Sequence, residues 1–184
     1  MKNILLLIFT TLFVALPATS FGQDVTNSEK NKKISYAFIN EYGGSYELPI
    51  GDASTFGGEI VGVFVNGIRF NKTQDEIGIG IGTEFLFIAQ AFPIFFNYRH
   101  CFPSKKKVIP LINIAVGTRL SRWADHHPDL VSEPPVVWAA GLYSTIAGGF
   151  RVKSFSFTAG VLLKSLEFKS DYITGVEIKM GLAF

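Results

Sequence analysis

Residues 172–184 read YITGVEIKMGLAF, and two kinds of side chain alternate along this stretch. Every second position holds a large apolar residue, except for one threonine: Tyr172, Thr174, Val176, Ile178, Met180, Leu182 and Phe184. The positions between them are mostly small or charged: Ile173, Gly175, Glu177, Lys179, Gly181 and Ala183. Successive side chains of a β-strand point to opposite faces, so this period of two predicts a strand with one apolar face and one polar or small face.

The same period recurs upstream and predicts eight strands in all. The other seven cover residues 34–46, 55–70, 77–85, 92–102, 109–120, 137–151 and 155–164. In the second of these, the register is ambiguous around residues 60–65, because apolar residues occupy both faces.

The predicted connections fall into two classes. Short basic turns occupy residues 71–74, 103–107 and 151–153, whereas the other set lies at 49–54, 89–91, 121–136 and 167–171. An even number of strands with tight turns at one end and longer loops at the other predicts an all-β fold, an eight-stranded antiparallel up-and-down transmembrane β-barrel with residues 121–136 as its main external loop.

Composition excludes several other classes of protein. Of the 184 residues, 48% are apolar or aromatic and 17% are charged. A chain this apolar can bury enough surface to fold, which excludes an intrinsically disordered protein. The longest apolar run, residues 4–16, is shorter than the roughly 20 residues of a membrane-spanning helix, which excludes a polytopic helical membrane protein. A formal charge of +2 argues against nucleic-acid binding.

The N-terminal segment has the features of a secretory signal. Lys2, the apolar run, Pro17 and the small residues Ser20 and Gly22 predict cleavage after residue 22. A retained anchor helix is the alternative. The predicted organisation is a signal peptide at 1–22, a short periplasmic segment at 23–33 and an outer-membrane barrel at 34–184. The single cysteine, Cys101, excludes an intrachain disulfide and a cysteine-rich zinc site.

The polar face indicates which side of the barrel is buried. It holds few Lys, Glu or Asp residues for a surface in water, and it is rich in glycine: Gly78, Gly80, Gly82, Gly117, Gly160, Gly175 and Gly181. An eight-stranded barrel is only just wide enough for side chains, so glycines beside charged residues fit its interior. The apolar face ends in aromatic residues, as a lipid-facing surface does. A soluble lipocalin-like binder, with the two faces exchanged, is an alternative.

The charges of the polar face are therefore predicted to form a network inside the lumen: Glu41, Glu84, Arg99, Arg119, Glu177 and Lys179, with Arg69, Glu76, Arg151 and Lys164 nearer the strand ends. Buried ions are costly unless they are paired, so acids and bases should meet across the lumen. We expect Glu177→Leu or Arg99→Leu to lower the unfolding midpoint. A conducting pore is the alternative, but eight strands leave little room for water.

The long loop holds the candidates for external chemistry. Trp123, His126 and His127 are candidates for contact with a ligand or partner, and the two histidines with Asp125 and Asp129 resemble a set of divalent-metal ligands. A solvated polar loop is the favoured interpretation, so no metal and no cofactor is predicted. His100 is predicted to lie on the lipid face near the short turns, in an aromatic girdle.

A lipid A deacylase or acyltransferase is the enzymatic alternative. It would use the histidines with polar residues of the same loop: Ser121, Ser132 and Glu133. The chain lacks the close His-x-Ser-Asn spacing of such deacylases.

Four motifs, in this order, resemble a known family. NGIRFN at 66–71, PIFFNYR at 93–99, GLY at 141–143 and MGLAF at 180–184 resemble the small outer-membrane β-barrel proteins of Bacteroidetes-type bacteria, which have OmpA/OmpX-like eight-stranded barrels. The resemblance implies a Gram-negative outer-membrane location and no catalytic residue.

The chain end implies partners as well. Met180, Leu182 and the terminal Phe184 resemble the signal read by the barrel-assembly machinery, although Gly181 departs from the commonest pattern. The implied partners are this machinery, outer-membrane lipids and lipopolysaccharide. The expected protein is a monomeric, non-enzymatic outer-membrane barrel with a structural or surface-interaction role.

Overall fold

The computed structural model describes residues 33–48, 57–85, 89–104, 107–124, 136–165 and 172–184. They form eight strands, in chain order β1 (Ile34–Leu48), β2 (Gly58–Phe70), β3 (Asp75–Phe85), β4 (Ala89–Cys101), β5 (Val108–Ala124), β6 (Val136–Val152), β7 (Phe155–Ser165) and β8 (Tyr172–Ala183). Each strand pairs with the next in antiparallel orientation, and β8 pairs with β1. The predicted eight-stranded antiparallel up-and-down barrel is confirmed. Within the described ranges, no helix is long and apolar enough to cross a membrane.

The stagger of the strands sets the width of the barrel. Paired residues followed once around the barrel from Phe38 lead back to β1 at Leu48, ten residues further along. Over eight strands this stagger corresponds to a tilt of roughly 40° from the barrel axis. A barrel of this size has an interior that side chains can fill.

The barrel has two distinct ends. At one end, which we name the short-turn end, β2 joins β3, β4 joins β5 and β6 joins β7. The main chain of Phe184 exchanges two hydrogen bonds with that of Phe38 at the same end, at 3.0 and 2.8 Å. The opposite end, the long-loop end, is where β1 joins β2, β3 joins β4, β5 joins β6 and β7 joins β8.

Several predicted connections prove to be strand. Residues 89–91 belong to β4, residues 121–124 belong to β5 and Val136 opens β6, so the predicted 121–136 loop is shorter. Arg151 and Val152 end β6, and the turn is formed by Lys153 and Ser154. Polar and aromatic residues interrupt the apolar alternation in these places. The main-chain ladder continues through them because its hydrogen bonds do not depend on side-chain polarity.

Strand β2 shows why its register was ambiguous. Val61, Val63 and Val65 are buried in the interior, whereas Ile60 is exposed outside and Phe64 is half-buried. Both faces of this strand are therefore apolar, and hydrophobicity alone does not separate them.

Gly117 of β5 faces the interior of the barrel, close to the main chain of β4. A Cβ atom at this position would overlap the main-chain carbonyl oxygen of Ile94 and lie 2.5 Å from the Cα atom of Phe95. Gly117→Ala must therefore push the two strands apart, and we expect it to lower the free energy of unfolding by about 1–3 kcal/mol. Equilibrium urea unfolding of the refolded barrel measures the loss.

Gly148 provides the matched control. It is a strand glycine on the outer face, and a Cβ atom there would meet nothing within 4 Å. Gly148→Ala should leave the stability unchanged or raise it slightly, because alanine restricts the unfolded chain. Equal losses in the two variants would contradict the close approach at Gly117.

Candidate functional site

The interior of the described barrel holds a balanced set of charges. Six carboxylates face six cations: Glu41, Glu47, Glu59, Glu76, Glu84 and Glu177 with Arg69, Arg99, Arg119, Arg151, Lys164 and Lys179. All are buried except the half-buried Arg69. Burial of a charge is tolerated where a partner compensates for the lost water, and these residues form ion pairs with one another.

Glu41 and Arg99 form the centre of one group. The Arg99 Nη2 atom donates to Glu41 Oε1 at 2.8 Å, and the Ser156 hydroxyl donates to the same oxygen at 2.6 Å. The Arg99 Nε atom also donates to the Asn113 side chain at 3.1 Å. These contacts join β1, β4, β5 and β7 across the lumen.

A second group surrounds Arg119 and Lys164. Arg119 Nε donates to Glu84 Oε2 at 2.5 Å, and its Nη2 atom lies 3.5 Å from Glu59 Oε1. The Lys164 ammonium lies 2.5 Å from the same Glu59 oxygen and 2.8 Å from Glu47. Two cations and three carboxylates of five strands therefore meet in one network.

A third group lies closer to the short-turn end. Glu76 Oε1 is 2.6 Å from both Arg69 Nη2 and Arg151 Nη1. One carboxylate of β3 thus joins the end of β2 to the end of β6.

Apolar side chains share the interior with these charges. The apolar cluster consists of Ile39, Val61, Val63, Val65, Phe95, Ala115, Tyr143, Leu162 and Ala183. The rings of Phe95 and Tyr143 pack with their centroids 5.2 Å apart. The Tyr143 hydroxyl has no hydrogen-bond partner among the residues that the structure describes.

The six charges predicted from the sequence all lie in this interior, each at most 2% exposed. The structure brings them together as three pairs: Glu41 with Arg99, Glu84 with Arg119, and Glu177 with Lys179 at 2.7 Å.

Two members of the network, Glu47 and Glu59, are not among the charges predicted from the sequence. The alternation of side chains along a strand indicates the position of both. Glu47 is an even number of residues from Glu41, and Glu59 is an even number from Arg69. Members of each pair must therefore share a face of their strand.

Ser121 does not lie where the enzymatic hypothesis needs it. It is 1% exposed and accepts a hydrogen bond from Arg119 at 2.8 Å, inside the barrel rather than on the outer rim. Trp123 belongs to β5, where its main chain pairs with β4 and β6. His126, His127, Ser132 and Glu133 lie outside the described residues. The described ranges contain no group of three His, Cys, Asp or Glu side chains able to hold a metal.

A polar cluster marks the outer face at the short-turn end. His100 Nδ1 lies 2.7 Å from Asp75 Oδ1, and the Tyr98 hydroxyl donates to the same oxygen at 2.8 Å. The ring of Phe102 meets that of His100 edge to face, with centroids 4.7 Å apart. Of the predicted assembly signal, Met180 and Phe184 are exposed and Leu182 is half-buried.

Comparisons with known proteins identify the fold alone. No protein-family model matches the chain, and no curated protein sequence matches it. The structure is similar to that of Neisserial surface protein A, with a TM-score of 0.57 and 10% identity over 83% of this chain and 98% of that one. For the N-terminal β-barrel domain of Pseudomonas aeruginosa OprF, the TM-score is 0.48 and the identity 12%, over 81% and 97% of the two chains.

Proposed function

We propose that this chain is an integral protein of the bacterial outer membrane. Its barrel spans the bilayer, the short-turn end and both termini face the periplasm, and side chains fill the lumen. Residues 1–22 are the cleaved signal peptide and residues 23–33 a short periplasmic segment. Because its motifs resemble those of the small outer-membrane β-barrel proteins of Bacteroidetes-type bacteria, we propose that the chain belongs to this family.

The observation that carries this proposal is the distribution of charge on the outer face. Among the described outward-facing strand residues, only Asp75, His100 and Arg122 are of the Asp, Glu, Lys, Arg or His types. The first two lie at the short-turn end, and Arg122 lies near the long-loop end. The surface between these levels is an uncharged belt in which large apolar side chains such as Ile79, at 67%, are exposed.

This distribution is the reverse of that in a soluble barrel, which presents polar residues to water and apolar residues to its interior. A lipid bilayer selects an outer face that is apolar over a height of about 25 Å. The barrel fold is shared with Neisserial surface protein A, a surface protein by its name, and this likeness agrees with the proposal.

The proposed role is non-catalytic: structural, or adhesive through the segments at the long-loop end. The buried ion pairs and apolar cluster leave little space for an aqueous path, which supports a filled lumen rather than a pore. The proposed partners are outer-membrane lipids, lipopolysaccharide and the barrel-assembly machinery, and the protein acts as a monomer.

Fractionation with gel migration tests the membrane location. The full chain, expressed in a Gram-negative host, should be recovered with the outer membrane. Unboiled and boiled samples should migrate differently, because a folded barrel resists detergent and runs as a compact species. Recovery in the periplasm without detergent, with identical migration of the two samples, would instead support the soluble binder.

Mass spectrometry of lipid A tests the absence of catalysis. We expect the same acylation pattern in a deletion strain and in its parent. A changed pattern that is restored by the intact gene, but not by His126→Ala or His127→Ala, would replace the structural role with a lipid A-modifying activity.

A further inference from the structure

We propose that Gln90, Arg122 and Trp138 form a site for the phosphate of a lipid A headgroup at the long-loop end of the barrel. The inference rests on the proposed outer-membrane location and adds a defined lipid contact to it.

The three residues form a row across three neighbouring strands. Gln90 of β4 pairs with Arg122 of β5, and Arg122 pairs with Trp138 of β6. The row faces outward near the point where β5 and β6 reach the long-loop end. Amide, guanidinium and indole groups therefore lie at one level on the outer surface.

The guanidinium lies over an aromatic ring that is itself exposed. Its central carbon is 5.9 Å from the centroid of the Trp138 ring, and Trp138 is 59% exposed. The contact places the cation beside apolar surface and stabilises it through the ring quadrupole. An aromatic face accepts no strong hydrogen bond from the five guanidinium N–H donors, so these donors still require oxygen acceptors.

The positive charge of Arg122 indicates which kind of ligand supplies these oxygen acceptors. Arg122 is the one residue of a charged type on the outward face at this end of the described strands, and no hydrogen bond or ion pair joins it to another described residue. A phosphate matches the planar donor fork of arginine and can be bound through two parallel hydrogen bonds. In the proposed orientation, this level of the barrel meets the headgroups of the outer leaflet, where lipid A phosphates lie.

A second row of residues lies next to the first, on the side away from the long-loop end, and it favours an acylated ligand over a free ion. Phe92 pairs with Leu120, and Leu120 pairs with Ala140, so this second row is apolar and outward-facing. The ring of Phe92 stacks on that of Trp138, with centroids 6.4 Å apart and an interplanar angle of 26°. Ala140, which ends this row, is small and exposed. A phosphate contact directly above apolar surface is the arrangement that a phosphorylated lipid requires.

Native mass spectrometry of the full chain, refolded in detergent, tests the site. Bisphosphorylated lipid A is titrated against the parent protein and against Arg122→Gln. One charge-assisted contact is worth about 1.5 kcal/mol or more, so the half-saturating concentration should rise about tenfold in the variant. Lys107→Gln is the control, because it removes one exposed cation at the short-turn end. It should bind lipid A as the parent does.

Two further ligands separate the sources of phosphate. Fully dephosphorylated lipid A should bind the parent about as weakly as bisphosphorylated lipid A binds Arg122→Gln. Inorganic phosphate should neither bind nor compete. Competition by inorganic phosphate would overturn the lipid assignment, and equal binding by the parent and Arg122→Gln would overturn the site.

Gel migration of each refolded sample keeps the two proposals separate. A barrel that migrates differently when boiled but binds lipid A without help from Arg122 overturns this inference alone. Identical migration of boiled and unboiled parent protein overturns the membrane proposal on which it rests.

Discussion

Arg119→Leu is expected to lower the free energy of unfolding by about 3–5 kcal/mol, the loss typical of one partner removed from a buried ion pair. Arg119 holds Glu84 at 2.5 Å and also lies 3.5 Å from Glu59. Both carboxylates are buried, so without the guanidinium Glu84 keeps no direct ion pair among the described residues. The loss is measured by urea unfolding of the refolded barrel, with the folded fraction at each urea concentration read from gel migration.

The same strand provides a matched control. Arg122→Leu makes the identical chemical change three residues away, on the outer face, where no carboxylate of the described residues pairs with the arginine. It should change the stability by less than about 1 kcal/mol. Equal losses in the two variants would contradict the assignment of Arg119 to a buried pair.

A double-mutant cycle then isolates the ion pair itself. Glu84→Leu should also destabilise the barrel, because among the described carboxylates it leaves Arg119 only the longer ion pair with Glu59, beside its hydrogen bond to Ser121. The double variant should lose less than the sum of the two single variants, since neither charge is then left without its partner. Strict additivity would show that Glu84 and Arg119 do not interact.

Val116→Arg is expected to lower the free energy of unfolding of the barrel in lipid vesicles by about 2–4 kcal/mol. Val116 lies at the middle of β5, faces outward and is 51% exposed, so in the proposed orientation an arginine there would enter the hydrocarbon core. Urea unfolding in phospholipid vesicles measures the cost.

Val108→Arg is the matched control for depth. Val108 opens the same strand at the short-turn end, faces outward and is 46% exposed. The same substitution there should cost about 0–1 kcal/mol, because the cation reaches the headgroups. A soluble barrel would expose both positions to water, so equal small effects would contradict the membrane proposal.

The polar and apolar faces of most strands are predictable because they follow from a local property of the chain. Along β8, apolar side chains fall on one face and Glu177 and Lys179 on the other, and this alternation is visible in the chain itself. The prediction is wrong or ambiguous where the alternation is weak. Both faces of β2 are apolar, and the polar residues Ser121 and Arg122 predict a loop although β5 continues through them.

The sequence by itself determined the number of strands, the polar side of the strands whose side chains alternate clearly, such as β8, and the apolar character of the outer face. Only the tertiary structure decided which acid meets which base. Lys164 reaches Glu59, 105 residues away, because of the ten-residue stagger accumulated around the closed barrel. Side-chain alternation is a property of one extended backbone, whereas an ion pair across the lumen depends on the stagger between strands and on closure, which no single strand specifies.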